Sequence, residues 1–447
     1  MRGIKIADIK NIPLKKINEG MQELIMVICG SVDSVKTKLL AVLSYPNLRT
    51  DPDKNLNKCL DDGNGSVRKI IMRFPHELSS GRTSSISYVP ILFDKEYWPD
   101  LTLSRTIMAT DLCGHEQYLK TTVTGICSSQ SDFAIVCVDR IRDRINPMTQ
   151  EHIKLLTSLN ISFVVVLTKI DTQTEEEIKR TIKVLMGKMK GKKLFVVKND
   201  KDVEIIKSMT ATKNKWMPFF LVSCKTGFGI SRLMKFMSKV DSLPDNYKKQ
   251  SCQIFSIDSV FNVVGHGLVV SGHSGIDVQV GEKILIGPFT AKENKKIVQL
   301  AHFCEVTIRS IHDNYKNNID KLSTGRRGCL CIRFAQKDLE FKKYINPGMI
   351  VVKSDKNVPS LSDKFKAYIS VFVGHHTTIK DGFNAICNIG NIRASATFKL
   401  INTDVARSGD NIDVELKFQH AICIKLGSEF IFREGVSIGS GKITSVI

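Results

Sequence analysis

The sequence has no hydrophobic run long enough to cross a membrane. Its apolar stretches, such as LIMVICG at residues 24–30, are much shorter than the roughly 18 residues that a spanning helix needs. The first residues, MRGIKIADIKNIPLKK, also lack the apolar core of a secretory signal. We therefore expect a cytoplasmic protein with no membrane among its partners.

Zinc-type cysteine pairs are absent as well. The sequence has 12 cysteines, but no two of them have the C-x2-C spacing of a zinc site. Most, including Cys29 and Cys137, lie within apolar runs and are typical of small core residues. Thiols used in this way indicate a reducing compartment, in agreement with a cytoplasmic location.

Acidic residues are too few to balance the basic ones. There are 65 Lys and Arg against 45 Asp and Glu, which gives a formal net charge of +20. A soluble protein this basic usually binds a polyanion, and nucleic acid is the first candidate. The alternative is an evenly spread charge in a lysine-rich protein, and composition leaves both open.

The first half of the chain alternates short apolar runs with helix-like stretches such as ISRLMKFMSKV at 230–240. This alternation predicts an α/β domain over residues 1–245, with a mostly parallel sheet and flanking helices. Residues 46–104 are polar and interrupt the pattern, so we expect a long, mobile insertion there. The predicted strands are 24–30, 106–111, 133–139, 162–169, 193–197 and 219–224.

The second half has short apolar runs at close spacing, separated by glycine turns. A polar linker, SLPDNYKKQS at 242–251, precedes it, and a second polar seam lies at 353–364. This pattern predicts two β-barrel domains, at 250–355 and 361–447.

The segment GSVDSVKTK at 30–38 has the outline of a phosphate-binding loop, G-x-x-x-x-G-K-[ST]. In such a loop, backbone amides at a helix N-terminus wrap the phosphates. Gly30 would open the loop, Lys36 would reach the terminal phosphates, and Thr37 would bind Mg²⁺. Val35 stands where the second glycine belongs, so this segment alone fits a working site, a weakened one or a chance resemblance.

Three further segments follow in order, each at the end of an apolar run. In TIMATDLCGH, Asp111 suits a carboxylate at the Mg²⁺ ion and Gly114 a backbone amide at the γ-phosphate. In SFVVVLTKID, Asp171 can accept from guanine N1–H and N2–H2, and Lys169 can pack on the base. In FFLVSCKTG, a backbone amide of the S-C-K turn can donate a hydrogen bond to guanine O6.

Each segment taken alone also has a structural interpretation. The first could be a strand, turn and helix start, the second a solvated lysine with a helix-capping aspartate, and the third a simple cap. Their common order and their position at strand C-termini favour a guanine-nucleotide site, because ligands of such sheets bind at that edge.

The motifs also resemble a known family. DLCGHEQYLKTTVTGI at 111–126 resembles the D-x-x-G-H-E-x-Y-L-K-T-T-x-x-G segment of translational GTPases of the elongation factor Tu class. ELSSGRTSSIS at 77–87 resembles the switch I segment of the GTP-binding protein 1/2 branch of that class. Residues 257–288, 371–398 and 427–447 are similar to the second and third domains, so the resemblance covers nearly the whole chain.

The resemblance implies roles for particular residues. Thr83 would be the switch I threonine, which binds Mg²⁺ and the γ-phosphate in the GTP state, and His115 would orient the attacking water. The metal ligands would be Thr37, Thr83 and Asp111. The GTP/GDP-binding set would be Gly30, Asp33, Ser34, Lys36, Thr37, Thr83, Asp111, Gly114, Thr168, Lys169, Asp171, Ser223, Cys224 and Lys225.

The resemblance further implies tRNA and the ribosome as partners, a nucleotide exchange factor as a further candidate, and no DNA. Val35 leaves two functions open. A β-branched residue at positive φ is strained by roughly 1–3 kcal/mol, which would weaken nucleotide binding tenfold to a hundredfold. The first function is a GTPase of the elongation- or initiation-factor type. The second is a non-hydrolysing or weakly binding homologue that serves as an RNA or ribosome scaffold or in mRNA surveillance.

Overall fold

The computed structural model describes residues 22–44, 60–72, 74–93, 105–188, 193–210, 216–240, 253–293, 296–301, 303–314, 317–354, 361–373, 378–434 and 436–447. The chain divides into two compact units, Met1–Leu243 and Pro244–Ile447. The predicted linker at 242–251 lies outside the described residues.

A seven-stranded sheet forms the centre of the first unit. Its spatial order is β2-β3-β1-β4-β5-β7-β6, and all neighbours run parallel except β2 and β3. The predicted mostly parallel α/β fold is therefore confirmed. The strands are β1 (Gln22–Gly30), β2 (Ser87–Phe93), β3 (Arg105–Asp111), β4 (Phe133–Val138), β5 (Phe163–Leu167), β6 (Lys193–Val196) and β7 (Trp216–Leu221).

Helices cover this sheet, and β4 and β5 are accordingly buried along their whole length. The pattern that makes a helix amphipathic is clearest in the last one, which buries Ile230, Leu233, Met234 and Met237, spaced at i, i+3, i+4 and i+7. The helices are α1 (Lys36–Leu43), α2 (Pro75–Ser80), α3 (Leu119–Ser128), α4 (Pro147–Ser158), α5 (Glu175–Lys188), α6 (Asp200–Thr210) and α7 (Ile230–Lys239).

The strand order places a crevice at the end of β1. From β1 the chain first builds β2 and β3 on one side and then crosses over to β4 on the other side. Such a reversal opens a crevice at the carboxyl ends of the strands, which is where α/β sheets bind ligands.

The polar stretch 46–104, predicted to be a long, mobile insertion, contains regular secondary structure in its described residues. Its described residues form a 3₁₀ turn (Ser66–Ile70), helix α2 and strand β2, so the expectation of a mobile insertion is wrong for them. Strand β2 pairs antiparallel with β3 along seven residues and lies at the sheet edge. An edge strand tolerates Pro90, because no second neighbour requires its missing N–H.

The second unit contains two closed six-stranded barrels, as predicted. The first closes in the order β11-β18-β8-β9-β17-β14, with β14 returning to β11. Its strands are β8 (Phe255–Val263), β9 (Gly267–Ser274), β11 (Lys283–Gly287), β14 (Cys304–Asp313), β17 (Arg327–Phe334) and β18 (Ile350–Lys353), with short pairs β10 (Val278–Gln279), β12 (Phe289–Glu293), β13 (Lys296–Ala301), β15 (Asn318–Ile319) and β16 (Lys321–Leu322) beside them.

The second barrel closes in the order β19-β24-β22-β21-β25-β26. Alternate residues of β9 and β22 are buried, as expected of strands with one face on a core. The strands are β19 (Ser362–Val371), β21 (Phe383–Ile389), β22 (Ile392–Leu400), β24 (Asn411–Ile422), β25 (Glu429–Glu434) and β26 (Val436–Val446), with the short pair β20 (Ile379–Lys380) and β23 (Val405–Ala406).

Two predictions about composition can be compared with the fold. Cys29 and Cys137 are fully buried, which confirms them as core residues. Within the described ranges, no helix is both long and apolar enough to span a membrane.

Candidate nucleotide-binding site

The phosphate-binding loop begins at the last residue of β1. Gly30 has φ of 142°, and a Cβ there would lie 2.2 Å from the carbonyl oxygen of Cys137 on β4. Only glycine fits this turn. The Gly30 N–H donates to Nδ1 of His152 on α4 at 3.0 Å, and Gly30 pairs with Cys137 on β4, so the start of the loop is fixed to a strand and to a helix.

The loop then folds back on itself. The Ser34 hydroxyl and the Lys36 ammonium both donate to the carbonyl oxygen of Ser31, each at 2.7 Å. Lys36 is only 7% exposed. Burial lowers its pKa, and the nearby Asp111 carboxylate opposes that effect. The lysine therefore lies inside the loop, where an anion would be its best partner.

Val35 has a left-handed backbone conformation, with φ of 65° and ψ of 17°. Its side chain is half-buried and packs against the core of the first unit. Asp33 is also left-handed, with φ of 62°, and is exposed. Val35 immediately precedes α1, and no side chain caps that helix, so its first amides remain suited to an anion.

Three oxygen-bearing side chains converge beside this helix. Thr37 Oγ1 donates to Asp111 Oδ2 at 2.8 Å. Thr83 Oγ1 lies 2.9 Å from Thr37 Oγ1 and 3.4 Å from the same carboxylate oxygen. The sequence positions of these residues, on α1, in the loop before β2 and at the end of β3, are far apart, and the fold brings them together.

Asp111 is fully buried, and burial raises its pKa to about 6, against the lowering effects of the Thr37 bond and of Lys36. Its Oδ1 atom has no hydrogen-bond partner among the described residues. A buried, unsatisfied carboxylate oxygen beside two hydroxyls is the kind of donor set that suits a hard cation.

Gly114 lies against the phosphate-binding loop. A Cβ at this position would be 2.2 Å from Lys36 Nζ and 2.7 Å from the Gly30 carbonyl oxygen, so a larger residue would displace the lysine. His115 follows it and is half-exposed. Its Nδ1 accepts from the Gln117 N–H at 3.1 Å, and its ring contacts Tyr118 edge-on, so the imidazole is held within its own turn.

The residues predicted to hold the base lie at the ends of β5 and β7. Thr168 donates to the Ser34 carbonyl oxygen at 3.3 Å, which connects this segment to the phosphate-binding loop. Lys169 has φ of 55° and forms an ion pair with Asp139 at 2.7 Å. Asp171 is exposed and accepts from the Ser223 hydroxyl at 2.6 Å.

The turn after β7 is organised by that same serine. Ser223 Oγ accepts from the backbone N–H groups of Lys225 and Thr226, at 3.2 and 3.1 Å. The carbonyl oxygen of Cys224, whose side chain is buried, accepts from Asp61 N–H at 2.9 Å. One hydroxyl therefore joins the turn to Asp171, which gives the two proposed guanine contacts a fixed relative position.

The comparison with protein families agrees with this geometry. The model of the elongation factor Tu GTP binding domain matches residues 21–243, which include the whole sheet and every site residue described above. The chain belongs to the elongation factor Tu class of translational GTPases.

Curated relatives align with this chain over most of its length. GTP-binding protein 1 of Xenopus laevis is 29% identical, over 95% of this chain and 64% of that protein. GTP-binding protein 2 of Homo sapiens is 28% identical, over 98% of this chain and 72% of that protein. The chain therefore spans slightly under two thirds of the Xenopus protein.

Solved structures of translation factors share the fold of this chain. The bacterial selenocysteine-specific elongation factor EF-Sec aligns with a TM-score of 0.64 and 19% identity, over 95% of this chain and 58% of that one. Elongation factor SelB of Methanococcus maripaludis, in complex with the GTP analogue GPPNHP, gives 0.61 and 19%, over 96% and 80%.

The structure also adds residues to this GTPase domain that the sequence did not single out. His152 is fully buried, and burial, helped by Lys36, lowers its pKa to about 3. Asp139 pairs with Lys169, and Glu77 binds the switch I segment. His152 and Asp139 act through tertiary contacts that no local motif marks in the sequence. Glu77 opens the ELSSGRTSSIS segment, but that resemblance does not indicate its bonds to Ser84 and Ser85.

Proposed function

We propose that this protein is a GTP-operated switch that binds GTP and GDP with Mg²⁺, hydrolyses GTP, and acts through this cycle on the ribosome and aminoacyl-tRNA. The observation that carries the proposal is the approach of Thr83 to Thr37 and Asp111. A switch I threonine beside the phosphate-binding loop is the arrangement that a γ-phosphate and its cation require.

In this proposal, the loop amides and Lys36 bind the phosphates, and the Gly114 amide contacts the γ-phosphate. Gly30, Asp33 and Ser34 shape the loop around them. Thr37, Thr83 and Asp111 would hold Mg²⁺, and the unpartnered Oδ1 of Asp111 fits a nearby cation. When bound, the ion offsets the negative charge of the phosphate oxygens.

The base would be recognised at the opposite end of the site. Asp171 accepts two hydrogen bonds from guanine, Lys169 packs on the ring, and Thr168 connects this segment to the phosphate-binding loop. A backbone amide of the turn formed by Ser223, Cys224 and Lys225 would donate to guanine O6. The bond from Ser223 to Asp171 supports this assignment, because it orients the carboxylate before the nucleotide arrives.

His115 would orient the attacking water. Its ring is bound within its own turn, so water positioning requires a rearrangement that ribosome contact would supply. This supports slow hydrolysis by the isolated protein and faster hydrolysis on the ribosome.

The proposed organisation has a GTPase domain over residues 1–245 and β-barrel domains over 250–355 and 361–447. The net charge of +20 supports an RNA partner through phosphate contacts. The names of the structural relatives, which are elongation factors, support a place in protein synthesis in the cytoplasm. A nucleotide exchange factor would complete the cycle.

Val35 favours a second candidate function. Its left-handed backbone is strained for a β-branched residue. If that strain abolishes nucleotide binding, the protein would serve as an RNA or ribosome scaffold, or as an mRNA-surveillance factor, without turnover.

Titration with fluorescent GDP and with a non-hydrolysable GTP analogue, each in the presence and absence of Mg²⁺, tests the proposal. We expect micromolar or tighter binding of both nucleotides with Mg²⁺ and weaker binding of the analogue without it. A GDP dissociation constant above 1 mM would refute the switch and favour the scaffold.

A further inference from the structure

A buried carboxylate on helix α2 accepts hydrogen bonds from the switch I segment. Glu77 lies on α2 and is 1% exposed. Its Oε1 atom accepts four hydrogen bonds from two consecutive residues. The Ser84 N–H and hydroxyl donate at 2.8 and 2.9 Å, and the Ser85 N–H and hydroxyl donate at 3.2 and 3.0 Å.

The charge state of Glu77 strengthens this arrangement. Burial raises the pKa of the carboxyl group, but the bonds from Ser84 and Ser85 outweigh it and hold the pKa below its ordinary value. The group is therefore an ionised acceptor at neutral pH. Hydrogen bonds to an ionised group are about twice as strong as those between neutral groups.

The segment held by Glu77 begins directly after Thr83, whose hydroxyl lies beside Thr37 and Asp111. It is also anchored before that threonine, because Gly81 ends α2 and donates its N–H to the Glu77 carbonyl oxygen at 2.7 Å. The Glu77 carboxylate thus holds the chain directly after Thr83, and a backbone bond that closes α2 fixes the chain before it. Every one of these bonds is made by the protein itself.

We propose that Glu77 is a positioning residue that holds Thr83 at the cation and γ-phosphate site before any nucleotide binds. This inference rests on the proposed nucleotide site. A threonine that is already in place requires less ordering when GTP arrives. GDP lacks the γ-phosphate that Thr83 contacts, so Glu77 raises the affinity for GTP relative to GDP.

The first test needs no nucleotide. Amide hydrogen exchange of Ser84 and Ser85 is measured in the nucleotide-free protein and in Glu77→Ala, with Glu77→Gln as a milder variant that keeps an acceptor oxygen. We expect both amides to be protected in the native protein and to exchange at least tenfold faster in Glu77→Ala. Equal exchange in the two proteins would overturn the proposal.

The second test compares nucleotides. Dissociation constants for GDP and a non-hydrolysable GTP analogue are measured for the native protein, Glu77→Ala and Glu77→Gln. Ser79→Ala is the matched control, because Ser79 is exposed on the same helix and its hydroxyl bonds, among the residues that the structure describes, only to the His76 carbonyl oxygen. We expect Glu77→Ala to weaken the analogue about tenfold relative to GDP, with a smaller change for Glu77→Gln and none for Ser79→Ala.

The GDP affinity serves as an internal reference for folding, since a misfolded domain would lose both nucleotides. An unchanged ratio of the two affinities in Glu77→Ala would overturn the positioning role. If the native protein binds neither nucleotide, the proposed function fails. In that case, fast Ser84 and Ser85 exchange in the native protein would separately overturn the inference about Glu77.

Discussion

Val35 stands where the phosphate-binding outline G-x-x-x-x-G-K-[ST] has its second glycine. Its backbone is left-handed, with φ of 65°, a conformation that costs a β-branched residue roughly 1–3 kcal/mol. Packing of its side chain against the core offsets part of that strain. The loop is nevertheless closed around Ser31, so the substitution leaves its outline intact.

We predict that Val35→Gly binds GDP about tenfold more tightly, because glycine adopts the left-handed conformation without strain. Equilibrium titration with fluorescent GDP measures the change. Asp33→Gly is the matched control, since Asp33 has a similar φ of 62° but belongs to a residue type that tolerates it better. An equal gain in both variants would argue against a special effect of Val35.

His152 makes the stability of the GTPase domain depend on pH. Its pKa is about 3 in the folded protein, against about 6.5 in an unfolded chain. The unfolded state therefore binds an extra proton between these values. The contribution is fully present above pH 6.5 and is lost as the pH falls towards 3.

We predict that the free energy of unfolding falls by about 1–2 kcal/mol more between pH 6.5 and pH 5 in the native protein than in His152→Gln. Urea unfolding followed by tryptophan fluorescence reports on this domain, because both tryptophans, Trp98 and Trp216, lie in it. Parallel pH profiles for the two proteins would show that His152 does not titrate in this way.

At the scale of elements, the site is built from loops that follow parallel strands. The ends of β5 and β7 bring Asp171 and Ser223 within 2.6 Å, although 52 residues separate them in the chain. In the proposed site, the Asp171 carboxylate would accept two hydrogen bonds from guanine and would thereby set the base specificity.

We predict that Asp171→Asn weakens GDP binding about a hundredfold, through the loss of two charge-assisted hydrogen bonds. Asparagine can still accept from Ser223, so the turn should persist. Because its amide can donate to the additional carbonyl of xanthine, binding of xanthosine diphosphate should improve. Competition titrations with GDP and xanthosine diphosphate measure both changes in affinity. An unchanged GDP affinity would refute the base-binding role of Asp171. The control is Asp143→Asn, at an exposed position.

The elements that could be predicted from the sequence are those with strong local patterns. The strands β1, β4 and β5 could be recognised from their apolar runs. Gly30 at the end of β1, with Lys36 and Thr37 after it, could be recognised from the spacing of the phosphate-binding outline. Strand β2 could not be predicted, because it contains Pro90 and lies in a polar stretch. The contact of His152 with Gly30 joins residues that are 122 positions apart. The Glu77 carboxylate contacts a loop seven and eight residues further along the chain, and no periodicity encodes either contact.

At the scale of the whole molecule, a GTPase domain is followed by two closed barrels in a chain of net charge +20. If this charge serves RNA binding, affinity for tRNA or ribosomes must depend steeply on salt, since each neutralised phosphate releases counterions. We predict a loss of at least about a hundredfold in affinity between 50 and 200 mM salt. A flat salt dependence would instead indicate an evenly spread charge without an RNA-binding surface.

The central claim is that this protein is a working GTP switch on the ribosome. Phosphate release from GTP, measured with and without ribosomes for the native protein and His115→Ala, tests it most directly. We predict slow release by the protein alone, stimulation by ribosomes of at least about a hundredfold, and loss of that stimulation in His115→Ala while GDP binding is kept. Native protein that binds GTP but releases no phosphate, even with ribosomes, would contradict the claim and leave a nucleotide-locked scaffold.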